Sequence, residues 1–231
     1  MKAWAPERPV PSDAAFRVAV VDYGAGNLVS IEQALTTVGT EVILARTPDD
    51  LARADAIIVP GVGAAEPAMR RLARARLVDP ILAWIATGRP YLGICLGLQL
   101  LFERSEEDGA DTLGVLAGPT VELVNAPTLP HIGWNQVERR REHPLFDGIA
   151  DGADFYFVHS YAGVPGPGAA DVVLAETDHG TRFPSAIADG PLLGVQFHPE
   201  RSGTDGLRLL ANYVAIVARQ SATQEPAGAP A

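Results

Sequence analysis

The chain has 231 residues, 47% hydrophobic and 20% charged, a composition that supports a sizeable folded core and excludes a disordered polypeptide. Its 28 acidic and 18 basic side chains leave a formal charge of −10, and with no basic run longer than the three residues Arg139 to Arg141 a nucleic-acid or anionic-membrane surface is not its main business. No apolar stretch is long enough to cross a bilayer, and Pro6, Pro9 and Pro11 interrupt any leader-like pattern, so the expected location is cytoplasmic.

Residues 1–15 and 220–231 are rich in Pro, Ala and polar residues and carry no hydrophobic period, so they are expected to be flexible tails around one folded unit, 16–219. That unit opens with a β-type run, Arg17 to Tyr23, then apolar residues at helical spacing from Leu28 to Val38. Strands are predicted at Glu41 to Ala45, Ala56 to Pro60 and Tyr91 to Ile94, and helices near Pro67 to Thr87 and over Leu96 to Arg104. Because these strand runs are continuously rather than alternately apolar, burial on both faces is expected, which implies a largely parallel sheet covered by helices. Beyond Leu113 the pattern becomes β-rich: TVELV, HIGWNQV, FYFVHSY, DVVLAE and PLLGVQF, before a final helix near Thr204 to Arg219. The expected fold is a single α/β domain with an antiparallel addition.

Cys95 is the only cysteine, which excludes an intramolecular disulfide and a multi-cysteine metal site. It sits in Gly93-Ile94-Cys95-Leu96-Gly97, an apolar strand passing through G-x-C-x-G into a helix. This is the thiol form of a nucleophile elbow. Small flanking residues let the chain turn sharply so that the thiol projects, and the helix N-terminus favours the thiolate. The Leu96 N–H would then face the oxyanion of an acyl intermediate.

Amide cleavage by a thiolate also requires a proton donor for the leaving ammonia. His198 follows the apolar run Gly194-Val195-Gln196-Phe197 and precedes Pro199-Glu200, so the Glu200 carboxylate can reach the second ring nitrogen. His143 and His179 read as surface-loop residues, whereas His131 and His159 lie inside β-type motifs. A dinucleotide-binding reading of Gly24-x-Gly26 fails, since Val29 stands where the third glycine belongs.

Three segments, PGVG (Pro60 to Gly63), GICLG and QFHPE, together resemble the class I glutamine amidotransferase domain with its Cys-His-Glu triad. Three further strings, DYGAGNL from Asp22, PHIGWN from Pro130 and FVHSY from Phe157, are similar to the glutaminase subunits of imidazole glycerol phosphate synthase. The resemblance spans about residues 16 to 219. It implies Cys95 as nucleophile, His198 as acid and base, and Glu200 as its orienting carboxylate. It places Gly61 and Val62, with Leu96, at the oxyanion hole, and Gln99, Glu107, His159, Ser160 and Tyr161 around the glutamine. Gln99 lies four residues past the nucleophile, one helical turn away; polar helix surface is the alternative reading for Gln99 and Glu107.

The same resemblance implies a partner, a (β/α)8 barrel cyclase subunit that uses the ammonia in histidine biosynthesis, docked on Ala25, Gly26, Asn27, Trp134, Asn135, Tyr156 and Arg201. Trp134 has two readings, a core residue or an exposed interface anchor. Arg201 stands where Lys is common in that family, which alters any ion pair there, and Leu98 stands where Met is common. No metal or organic cofactor follows from the sequence. The other functional readings are a glutaminase for a different synthase, such as that of pyridoxal phosphate, and a catalytically silent scaffold.

Overall fold

Continuously apolar strands need cover on both faces, and the computed structural model, which describes residues 16–224, supplies it. The elements in chain order are β1 (Arg17–Val21), α1 (Leu28–Thr37), β2 (Glu41–Ala45), α2 (Pro48–Ala52), β3 (Ala56–Gly61), α3 (Ala65–Arg74), α4 (Val78–Ala86), β4 (Tyr91–Cys95) and α5 (Leu96–Gln99). They continue as β5 (Arg104–Ser105), β6 (Pro119–Glu122), β7 (His131–Arg139), β8 (Ala153–His159), β9 (Tyr161–Gly163), β10 (Val173–Asp178), β11 (Arg182–Asp189), β12 (Leu192–Val195) and α6 (Gly203–Gln224).

Among the described residues nine strands form one sheet in the order β2-β1-β3-β4-β12-β11-β10-β7-β8. Pairing is parallel from β2 to β12 and antiparallel from β12 to β8. A small second sheet, β5-β6-β9, lies beside it. On β1, Val18 and Val20 join Leu35 of α1 and Leu209 and Tyr213 of α6, while Ala19 and Val21 join Leu72 of α3 and Ile81 and Trp84 of α4. Successive strand residues point to opposite faces, so a continuous apolar run feeds both cores.

The structure corrects several expectations. The helix expected over Leu96 to Arg104 is only the short α5; the chain then turns and pairs as β5. The stretch near Pro67 to Thr87 is two helices, α3 and α4, broken where Arg76 adopts φ 59°. The sheet contains an additional strand, β11, which lies between β12 and β10. Helix α6 runs on to Gln224, past the expected start of the C-terminal tail. The expected N-terminal extension, 1–15, and residues 225–231 lie outside the described residues. No described helix is long and apolar enough to cross a membrane.

Candidate active site

The carboxyl ends of adjacent parallel strands converge on Cys95. Register pairs Gly61, the last residue of β3, with Cys95, the last of β4, and pairs Val195 of β12 with Ile94. Open parallel sheets gather their chemistry in the crevice outside these strand ends.

Cys95 has φ 53° and ψ −108°, a backbone state that costs a non-glycine residue energy and that surrounding packing must hold. The elbow glycines provide that packing. A Cβ on Gly97 would stand 1.7 Å from the Val59 carbonyl oxygen, and one on Gly93 would stand 2.5 Å from the Gly97 oxygen. Strand and helix therefore cross backbone to backbone. Gly61 is equally confined, since a Cβ there would lie 2.3 Å from the Tyr23 hydroxyl and 2.9 Å from Leu96 Cβ. That hydroxyl donates to the Pro60 oxygen at 2.9 Å and so fixes the end of β3. Val62 lies just past the strand end and is exposed.

His198 is held from both sides. Its N–H donates to the Tyr156 oxygen at 2.8 Å, and the Ser202 hydroxyl donates to its carbonyl at 2.6 Å. A 3-10 turn, Pro199–Arg201, brings Glu200 back so that Oε1 meets His198 Nδ1 at 2.9 Å. Both side chains are nearly out of solvent. Burial opposes a charged imidazole here, but interaction with Cys95 and Glu200 outweighs it and pushes the His198 pKa up to about 10. Nε2 makes no formed hydrogen bond, and it is the ring nitrogen left free for the Cys95 sulfur, whose interaction with the imidazole contributes to the raised pKa.

A pocket of about 180 Å³ opens on the thiol, lined by Gly63, Cys95, Gln99, Glu107, Pro130, Val158, His159, Ser160 and Tyr161. All five expected glutamine-contacting residues are in this lining. Gln99 is buried rather than part of a polar helix surface, and its Nε2 donates to the Tyr161 oxygen at 2.7 Å and to Gln196 Oε1 at 3.1 Å. Glu107 has its pKa raised by burial, helped by Asp108.

Behind the pocket lies a histidine array whose proton positions follow from its ends. The Tyr161 carbonyl can only accept, so His159 Nδ1, 2.9 Å away, is the donor. Neutral His159 then accepts at Nε2 from His131 Nδ1 at 3.1 Å, and His131 Nε2 accepts from Asn135 Nδ2 at 3.2 Å. His179 lies in the loop after β10, as expected, and from there its ring stacks on His131 with centroids 4.0 Å apart. Burial depresses both relay histidines, aided for each by neighbouring histidines, His131 to about 4 and His159 to about 3.

This arrangement fixes a pH dependence of stability. Below the ordinary histidine value near 6.5 the unfolded chain takes up protons that the two buried imidazoles refuse, so stability falls as pH falls and levels off below about 4 to 3. Each histidine contributes a slope of up to about 1.4 kcal/mol per pH unit. Thermal unfolding between pH 7 and pH 4 should show a steeper decline for the native chain than for His131→Gln, which keeps a donor and an acceptor but does not titrate. Identical slopes would mean that His131 is protonated in the fold.

The expected docking residues divide by environment. Trp134 is 57% exposed, which settles it as a surface residue. It pairs across the strands with Tyr156, ring centroids 6.1 Å apart, and the Arg201 guanidinium lies 4.2 Å over the Tyr156 ring. Asn27 caps α1 by accepting from Ser30 N–H. Asn135 is committed inward, to His131 and to the Asp178 oxygen. Gln196, 0% exposed and passed over in the sequence as a strand residue, donates through Nε2 to Cys95 Sγ at 3.5 Å.

A thiol on a strand-to-helix elbow beside a His-Glu pair at the mouth of a parallel sheet is equipped for nucleophilic acyl chemistry, and residues 19–216 match the family Glutamine amidotransferase class-I. The fold is similar to a crystal structure of a glutamine amidotransferase, with TM-score 0.67 and 22% identity over 87% of this chain and 98% of that one. It is also similar to PurLQS from Thermotoga maritima, with TM-score 0.66 and 20% identity over 90% and 100% of the two chains. Sequence relatives are more specific. The imidazole glycerol phosphate synthase subunit HisH of Symbiobacterium thermophilum is 46% identical over 87% of this chain and 94% of its own length. That of Bacillus cytotoxicus is 41% identical over 90% and 98%. The chain belongs to the class-I glutamine amidotransferases and, within them, to the HisH family.

Proposed function

We propose that this chain is the glutaminase subunit of an imidazole glycerol phosphate synthase, hydrolysing glutamine and passing ammonia to a (β/α)8 barrel cyclase subunit in histidine biosynthesis. The observation that carries this reading is the strained Cys95 elbow facing a buried His198–Glu200 pair and opening into the Gln99, Glu107, Tyr161 pocket.

The chemistry follows from the groups present. The Cys95 thiolate adds to the side-chain carboxamide carbon of glutamine, and the carbonyl oxygen becomes an oxyanion facing the Leu96 N–H and the Gly61-Val62 segment. Protonated His198 gives its proton to the nitrogen as the C–N bond breaks, releasing ammonia and leaving a thioester. Neutral His198 then takes a proton from water, whose oxygen attacks the thioester carbon; glutamate leaves and the thiol is restored. Glu200 on Nδ1 keeps Nε2 available for each transfer. In the pocket, Glu107 suits the substrate ammonium, and Gln99, His159, Ser160 and Tyr161 shape the remainder.

Ammonia released into neutral water is protonated and lost as a nucleophile, so hydrolysis needs an acceptor docked nearby. The Trp134, Tyr156 and Arg201 ladder, with the Ala25-Gly26-Asn27 loop, is the face we assign to the cyclase, while Asn135 supports it from beneath through His131. Co-purification with a cyclase subunit and assay of glutamine-dependent imidazole glycerol phosphate formation tests the whole reading; turnover supported by ammonium salts but never by glutamine would overturn it.

Within this assignment Trp134→Ala should weaken the complex about 30-fold or more, as loss of a central interface anchor does. It should leave the free subunit's stability within about 0.5 kcal/mol, because the indole is mainly solvent-facing. Calorimetric titration against the cyclase together with thermal unfolding of the free subunit checks both. Unchanged affinity would place the docking face elsewhere.

A further inference from the structure

Two hydrogen-bond chains end on one backbone oxygen, and their meeting fixes the direction of the second. The Tyr161 carbonyl accepts from His159 Nδ1 at 2.9 Å and from Gln99 Nε2 at 2.7 Å. A carbonyl has no proton to give, so the Gln99 amide must present its NH2 group to this oxygen. The same NH2 group lies 3.1 Å from Gln196 Oε1. Gln196 is therefore held with its oxygen toward Gln99 and its own NH2 toward Cys95 Sγ, 3.5 Å away. Reversing the Gln196 amide would set two NH2 groups against each other and turn an oxygen toward the sulfur. The buried side chain has no solvent with which to compensate for that change.

We propose that Gln196 is a catalytic residue, a fixed N–H donor to the Cys95 thiolate, whose direction is imposed by Gln99 and the Tyr161 carbonyl. This rests on the reading of Cys95 as the nucleophile and adds to it a second stabilising group besides His198. The helix behind the sulfur is a single turn, α5, so a directed amide matters more here than it would beside a long helix. A hydrogen bond to sulfur is strongest while sulfur carries charge and weakens in the thioester. Gln196 is not itself in the pocket lining, so it acts on how much thiolate is present and reaches substrate only through Gln99, which stays anchored on the Tyr161 oxygen. Among the described residues the other titratable groups around this site are Tyr23, just past β1, which interacts with Cys95 and with Arg71 of α3, Glu107 in the pocket lining, His198 and Glu200 after β12, and His159 of β8, which interacts with His198.

Because Cys95 is the sole cysteine, iodoacetamide alkylation of the full chain reports this thiol alone. Gln196→Met should move the acid limb of the alkylation rate against pH upward by about one unit, an approximately tenfold slower reaction at any pH on that limb. Gln196→Glu keeps the shape and the acceptor for Gln99 but turns a carboxylate toward the sulfur, so its limb should move further; it is the deciding variant if Met disturbs folding by circular dichroism. In the complex with cyclase, kcat for glutamine should fall while KM stays within about twofold. Limbs that coincide with the native one in the folded variants would overturn the proposal. Cys95→Ala separates this outcome from failure of the wider reading: if that variant still hydrolyses glutamine the nucleophile is wrong, and if it is inactive while Gln196 variants behave as native, only the role of Gln196 falls.

Discussion

Cys95→Ala is expected to abolish glutamine-dependent turnover, by roughly three or more orders of magnitude, while the complex still reacts with ammonium salts, because removing a covalent nucleophile closes the only route to the thioester. The side chain is small, and its loss leaves the His198–Glu200 bond and the strand pairing of β4 in place. The variant should therefore fold and bind its partner. His198→Ala should approach the same loss, since the imidazole moves a proton in both half-reactions. Glu200→Gln should cost less, because a neutral amide can still accept from Nδ1 while no longer favouring the imidazolium. Steady-state assays with glutamine and with ammonium chloride, run in parallel on the same complex, separate glutaminase loss from synthase loss. Residual glutamine hydrolysis in Cys95→Ala would end the nucleophile assignment, and equal losses for Glu200→Gln and His198→Ala would give the carboxylate a role beyond orientation.

The parallel half of the sheet is legible in the sequence because its strands are buried on both faces and so are written in uninterrupted apolar residues. The antiparallel half is less so. Strand β11 is hidden because Pro184 interrupts it, and proline in a run argues against an interior strand; here Pro184 sits opposite Glu176 where the β10 register shifts. The helical reading overextends α5 because Leu100, Leu101 and Phe102 continue a helical spacing, yet those side chains are fully buried in the turn that follows it. Local periodicity does not distinguish a continuing helix from a packed turn.

The proposed triad is visible in the sequence because His198 and Glu200 are neighbours there and Cys95 carries its elbow glycines with it. Gln196 cannot, for its meaning lies in a direction set by Gln99 and Tyr161 from other elements. The contact made by His179 is hidden for a related reason. Its polar neighbours describe a loop, but the loop folds its imidazole onto His131 and its Nε2 to the Thr128 oxygen at 3.0 Å. Asn135 shows the converse: a residue expected on the docking face is turned inward to serve the histidine array.

Gly97→Ala should be the most damaging substitution for the fold of the site. The added methyl would lie 1.7 Å from the Val59 oxygen and 2.7 Å from the Val59 carbonyl carbon, and no rotamer change relieves a clash with backbone. Strand β3 and helix α5 would have to separate, taking Gly61 away from Cys95 and loosening the turn that holds the thiol at φ 53°. A loss of about 3 kcal/mol or more is expected, and in any fraction that folds, displacement of the sulfur by about 1 Å should cost roughly a hundredfold in glutaminase rate. Gly88→Ala is the matched comparison: that residue, past the end of α4 and outside the pocket lining, has φ 69° but nothing within 4 Å of where its methyl would sit, so only backbone strain of about 1 to 2 kcal/mol applies. Denaturant unfolding of both variants beside alkylation of Cys95 tests the difference. If Gly97→Ala proved no worse than Gly88→Ala in both measurements, close crossing of β3 and α5 would not be what holds the nucleophile in place.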